Sequence, residues 1–175
     1  MPAIAVAAGI AISSCVALAL SGSPISTARG ALALATIAVA ALLPSLAMRS
    51  DPRGGHRGGV GATLLALGLS LAVGLVDYHE VALVSGHAMG CLQAELAIGA
   101  LPLVAMLALA RSRPHVGAAQ TAAVGAAGAL AGQAVLLTSC AADESVLHVL
   151  FFHVAGVVLA GLYGAGLGRL VRALA

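Results

Sequence analysis

Stretches of about twenty apolar residues recur along this chain, separated by short breaks that hold most of its charge. That alternation leaves little choice of fold. A bilayer core takes roughly 20 residues of α-helix, and within it every peptide group must find its hydrogen bond inside the helix itself. Spans are read near residues 3–22, 30–48, 60–76, 91–110, 115–137 and 145–168. The breaks between them are Ser21 to Pro24, Arg49 to Gly59, Asp77 to Gly90, Arg111 to Pro114 and Thr138 to Glu144. The expected fold is an all-α integral membrane protein, a six-helix transmembrane bundle in which residues 1–175 form one domain. Composition agrees: 61% of the residues are hydrophobic and 8% charged, too few charges to clothe a water-soluble domain.

Arginine placement sets the orientation, because basic residues collect in cytoplasmic loops. Arg49, Arg53 and Arg57 fall in the second loop, Arg111 and Arg113 in the fourth, and Arg169 and Arg172 after the last span. All seven lie on one side. The other side has Arg29 alone, together with Asp77, Glu80, Asp143 and Glu144, and with Glu95 just inside the fourth span. An N-in, C-in arrangement accounts for both sets. The first span lacks the basic segment of a signal peptide and is expected to be retained. A net charge of +2 from scattered arginines gives no reason to expect a nucleic-acid partner; the expected surroundings are lipid.

Helices already in lipid associate through close packing, so small residues are informative. Gly128 and Gly132 in the fifth span and Gly164 and Gly168 in the sixth have G-x-x-x-G spacing. They read either as helix contacts or as ordinary filling in an Ala/Gly-rich chain. Pro44 and Pro102 lie within spans two and four, where proline kinks a helix.

The side chains with chemistry gather on the predicted outer side. His87, Cys91 and Glu95 are spaced i, i+4, i+8, along one face of a helix that begins near Ser85. Across the topology stand Cys140, Asp143 and Glu144, followed by His148 and His153, with Glu144 and His148 again four apart. Thiolate, imidazole and carboxylate are ligands for zinc and softer metals, so His87, Cys91, Glu95, Cys140, Glu144 and His148 form the candidate ligand set, for zinc or another thiophilic metal. Glu95, His148 and His153 lie at or inside the apolar boundary, where an unpaired charge costs about 2.5 kcal/mol or more, so they are functional candidates. The plainer alternatives are a solvated His79 or His87, a Glu95 paired locally, a His153 bonded to a backbone carbonyl, and a Cys15 that merely fills space in span one. Cys91 and Cys140 either form a disulfide or share a metal; the former requires Cα atoms within roughly 7 Å.

Gly86-His87 followed by Cys91, then Leu101-Pro102, Ala110-Arg111-Ser112-Arg113-Pro114, Cys140 with Asp143-Glu144, Phe151-Phe152-His153 and Gly156 make a pattern over residues 84–172 that resembles the NrsF family. Its members are six-span bacterial inner-membrane proteins that negatively regulate extracytoplasmic-function sigma factors. The resemblance implies that Cys91 and Cys140 are outer-side cysteines that sense heavy metal or oxidant, and that an extracytoplasmic-function sigma factor is the partner. This chain is expected to enter the membrane almost at Met1, so sigma contact would use the short loops, chiefly Arg49, Arg53 and Arg57, or another subunit.

The leading expectation is a membrane-embedded stress sensor of anti-sigma type, in which Cys91 and Cys140 respond to oxidant or heavy metal. The alternative is a metal-binding membrane subunit or transporter with His, Cys and Glu ligands at the outer ends of spans four to six. A purely structural subunit would suit the short loops and glycine-rich faces. No C-x-x-C pair is present, which disfavours a thiol oxidoreductase, and no enzymatic activity is expected.

Overall fold

A computed structural model describes residues 2–21, 27–48, 55–75, 88–112, 116–140 and 146–174. Six helices run through them: α1 (Pro2–Ser21), α2 (Thr27–Ala47), α3 (Gly55–Leu75), α4 (Ala88–Ser112), α5 (Ala118–Leu136) and α6 (Val146–Ala173). Among the described residues there is no strand. In α6 the backbone is π-helical from Val149 to Val154 and α-helical on either side. Pro44 and Pro102 are both accommodated within continuous helices, α2 and α4.

Four helices are long and apolar enough to cross a membrane, over Ala3–Leu20, Arg29–Ala47, Met89–Arg111 and Val146–Ala173. Their outward faces carry Ile4, Ile12, Val16, Leu34, Leu101 and Leu162, a surface suited to lipid. In α3 the apolar stretch is shorter, Arg57–Val73. α5 differs for a physical reason: it is the central helix, packed against α2, α3, α4 and α6 and buried almost continuously from Gln120 to Leu136. A helix surrounded by other helices meets little lipid, so it is rich in alanine and glycine instead of large aliphatic side chains.

The small residues decide how closely these helices approach. A methyl group on Gly132 would lie 2.8 Å from the carbonyl oxygen and 2.9 Å from the Cα of Glu95, and one on Gly128 would lie 2.8 Å from the Cα of Gly99. Backbone there touches backbone, so α4 and α5 pack at a distance only glycine permits. On the other side of α5, Gly125 faces Ala160, and Gly164 and Gly168 of α6 face Thr121. Both G-x-x-x-G pairs are therefore contacts and not filling.

Several polar side chains inside the bundle are satisfied locally or across helices. Ser70 of α3 donates its hydroxyl to Gln133 Oε1 of α5 at 2.6 Å, and Gln133 Nε2 donates to the Ser70 carbonyl at 3.1 Å. Thr36 and Thr63 donate to the carbonyls of Leu32 and Gly59 one turn back. One end of the bundle collects the C-terminal ends of α2 and α6 and the N-terminal ends of α3 and α5, since Gly58 meets Leu46, Gly59 meets Ala119, and Gly117 meets Arg172. The start of α4, the end of α5 and the start of α6 meet at the opposite end.

Candidate metal centre

Three chain segments build the centre. Cys91 and Glu95 lie four residues apart near the start of α4, on the face turned to the bundle. After α5 the chain makes one more turn: Leu137 N–H donates to the Gln133 carbonyl, Thr138 Oγ1 donates to the Val135 carbonyl at 2.7 Å, and Cys140 N–H donates to the Leu136 carbonyl at 2.7 Å. That turn caps orphaned helix carbonyls and sets the Cys140 side chain facing α4. His148 and His153 come from the start of α6.

The π-helical segment explains how two histidines five residues apart both reach the centre. In an α-helix of 3.6 residues per turn, five residues turn through about 500°, leaving the two side chains roughly 140° apart. With i→i+5 bonding and about 4.4 residues per turn, the same five residues bring them back to within about 50°. Both imidazoles are accordingly buried, at 0% and 1% exposure, with ring centroids 5.2 Å apart. π-Helical turns are rare and concentrate at functional sites.

The two sulfurs of Cys91 and Cys140 are 2.8 Å apart and are not bonded as a disulfide. Cys140 Sγ lies 3.6 Å from His148 Nε2. Ligand atoms of Cys91, Cys140, His148 and His153 all fall within 4.8 Å of one another, and all four residues are buried. With metal–sulfur bonds of about 2.3 Å and metal–nitrogen bonds of about 2.0 Å, the edges of a tetrahedral S2N2 site measure roughly 3.3–3.8 Å. The observed separations bracket that range, so shifts of about 1 Å would close the four ligands on one ion. They lie close enough to hold a metal.

Glu95 stands behind this group. Its Oε2 is 2.8 Å from His153 Nδ1, and both residues are withdrawn from solvent. A carboxylate on the far nitrogen of a ligating histidine fixes the ring's tautomer and direction and makes it a better donor, with Nε2 left for the metal. The space for that carboxylate comes from Gly156, where a methyl group would lie 2.9 Å from Glu95 Cδ and 3.1 Å from Leu92 Cδ1. Leu136 and Ala94 pack against the cysteines, and the Phe152 ring lies 5.1 Å from that of His148. These apolar side chains flank a small polar centre.

Of the residues singled out from sequence, the structure brings together Cys91, Cys140 and His148, and adds Glu95 through its contact with His153. His153 pairs with the Glu95 carboxylate, and not with a backbone carbonyl as in the plainer of its two readings. His87 and Glu144, also candidate ligands, lie outside the described residues, as do His79, Asp143, Arg49 and Arg53. Arg57 is exposed on α3, and Cys15 is exposed on α1, away from the centre. His153 had no place in the predicted ligand set, and its five-residue spacing from His148 does not match an α-helical face. Its position within the apolar boundary was the one signal available. Comparison of the chain with protein families, with curated proteins and with solved structures returns no match.

Proposed function

We propose that this chain is a six-span, N-in and C-in protein of a bacterial inner membrane that senses thiol-reactive stress on its outer side. Cys91 and Cys140 react with oxidant or with a thiophilic metal, and the change alters the hold on a cytoplasmic partner of the extracytoplasmic-function sigma type. The single observation that carries this reading is the placement of two buried thiols 2.8 Å apart among two imidazoles, on three helix ends distant in sequence. A reaction that draws those ends together acts on α4, α5 and α6 at once. Their backbones touch along the Gly99–Gly128 and Glu95–Gly132 contacts, so a shift at one end travels along rigid helices. Arg111, Arg169 and Arg172 at the far ends of α4 and α6, and Arg57 on α3, are the side chains a cytoplasmic partner would meet.

The test is a reporter of partner activity in cells carrying Cys91→Ser/Cys140→Ser. The double variant is expected to be blind to cadmium and peroxide while remaining in the membrane; a normal response would sink the reading. A second reading, a metal-binding membrane subunit or transporter, is favoured by the four-ligand cluster itself. It predicts metal flux into proteoliposomes that is lost in the same variant, whereas a sensor carries none.

A further inference from the structure

We infer that Cys91, Cys140, His148 and His153 hold a resident divalent ion of the zinc class, that Glu95 is the positioning residue for His153, and that this ion and a Cys91–Cys140 disulfide exclude each other. The proposal deepens the sensor reading and rests on it only for the reactivity of the two thiols.

The donor set selects the ion. Two thiolates and two imidazoles at tetrahedral spacing suit zinc, whereas magnesium and calcium take oxygen ligands. Two thiolates also neutralise a divalent charge among the four ligands, which leaves the Glu95 carboxylate, bonded to His153, as the remaining buried acid of the centre. All four ligands are buried, the histidines almost completely and the cysteines at 7% and 9% exposure. Four protein donors with no open position make a structural site and not a catalytic one. Glu95 would be a fifth donor in a looser arrangement. Its bond to His153 Nδ1 and its seat over Gly156 make it the partner of a ligand instead.

Ion and disulfide compete because both use the same two sulfurs. The bound sulfurs stand about 3.8 Å apart at the tetrahedral angle, and a disulfide brings them to about 2.05 Å. With a peroxide as oxidant, one sulfur–sulfur bond forms and two metal–sulfur bonds break. The two electrons cleave the peroxide O–O bond, two protons from solvent complete two waters, and the divalent ion leaves. Oxidation thus releases the start of α6, which His148 and His153 had tied to the ion, while the disulfide keeps the start of α4 joined to the end of α5. A thiophilic metal such as cadmium enters by displacing the resident ion from the same ligands. One centre thereby answers to both classes of stress.

The experiment uses the full chain in detergent, stripped of metal under reducing conditions and titrated with cobalt(II) as a spectroscopic stand-in. The expected result is one cobalt per chain, with thiolate-to-cobalt charge transfer and the intense visible bands of a tetrahedral site. Zinc should displace the cobalt. Peroxide should release one ion per Cys91–Cys140 disulfide, read with a chromogenic chelator and by mass spectrometry, and bound zinc should slow the oxidation. Glu95→Gln should keep the tetrahedral bands and weaken binding by about 10–100-fold, while His153→Gln should lose the tetrahedral S2N2 spectrum. The wild-type spectrum stands independently of whether either variant folds. Absence of a tetrahedral thiolate spectrum in the wild type, or thiol oxidation at the same rate with and without zinc, overturns the proposal and leaves the sensor reading intact. Stoichiometric binding and release without any cellular response sinks the sensor reading alone.

Discussion

Substituting Gly132 by alanine tests whether close α4–α5 contact sets the geometry of the centre. The added methyl would sit 2.8 Å from the Glu95 carbonyl oxygen, 2.9 Å from its Cα and 3.2 Å from its carbonyl carbon. Ordinary carbon contacts lie near 3.5–4.0 Å, so α4 must retreat by roughly 0.6–1 Å, and backbone cannot swing aside as a side chain does. Such overpacking costs about 1–3 kcal/mol. Against it stands the helix preference for alanine over glycine, about 0.5–1 kcal/mol. Gly68 supplies the control, because a methyl there has nothing within 4 Å and collects only the preference. The difference in unfolding free energy between Gly132→Ala and Gly68→Ala is therefore the clash itself, about 1–3 kcal/mol. It is measured by denaturant titration in detergent micelles followed by circular dichroism. Because Cys91 and Glu95 ride on the displaced turn of α4, the yield of oxidative Cys91–Cys140 crosslinking should fall in the same variant. Equal stability of the two variants would refute the reasoning.

Gly156→Ala should push the Glu95 carboxylate off His153, lowering cobalt affinity by about 10-fold or more with little change in the thiolate bands, as read by titration. Gln133→Leu removes the paired bonds to Ser70 and should lower stability by about 1 kcal/mol in the same unfolding assay, without altering thiol chemistry. Cys15→Ser, at an exposed position on α1, should leave metal stoichiometry and crosslinking unchanged, which thiol counting and mass spectrometry will check. Since each thiol releases its proton on binding, metal affinity should strengthen as pH rises, by up to about two log units per pH unit for two thiols, in a competition titration across several buffers.

Much of this molecule is legible in its sequence because a bilayer imposes a length and a polarity on whatever crosses it. The apolar stretches gave the order of all six helices, and their ends agree with the described helices to within several residues, α3 beginning five earlier than read and α5 three later. The i, i+4 spacing of Cys91 and Glu95 placed both on one face of α4, and both are buried there. Which surface α5 turns to its neighbours was not readable: its alanines and glycines look alike from every side, and only the assembled bundle shows it enclosed and touching Glu95 and Ala160 at its glycines. The composition of the centre was likewise a tertiary matter. Residues 49 and 58 positions apart meet there, Cys91 with Cys140 and Glu95 with His153. His153 enters because α6 departs from α-helical geometry over six residues, and a spacing rule drawn from 3.6 residues per turn places it on the wrong side. Sequence alone determined that thiols, imidazoles and an acid would share one end of a helical bundle. The tertiary structure decided which of them touch, since contact across helices depends on packing distance and backbone register, and neither is encoded in any one segment.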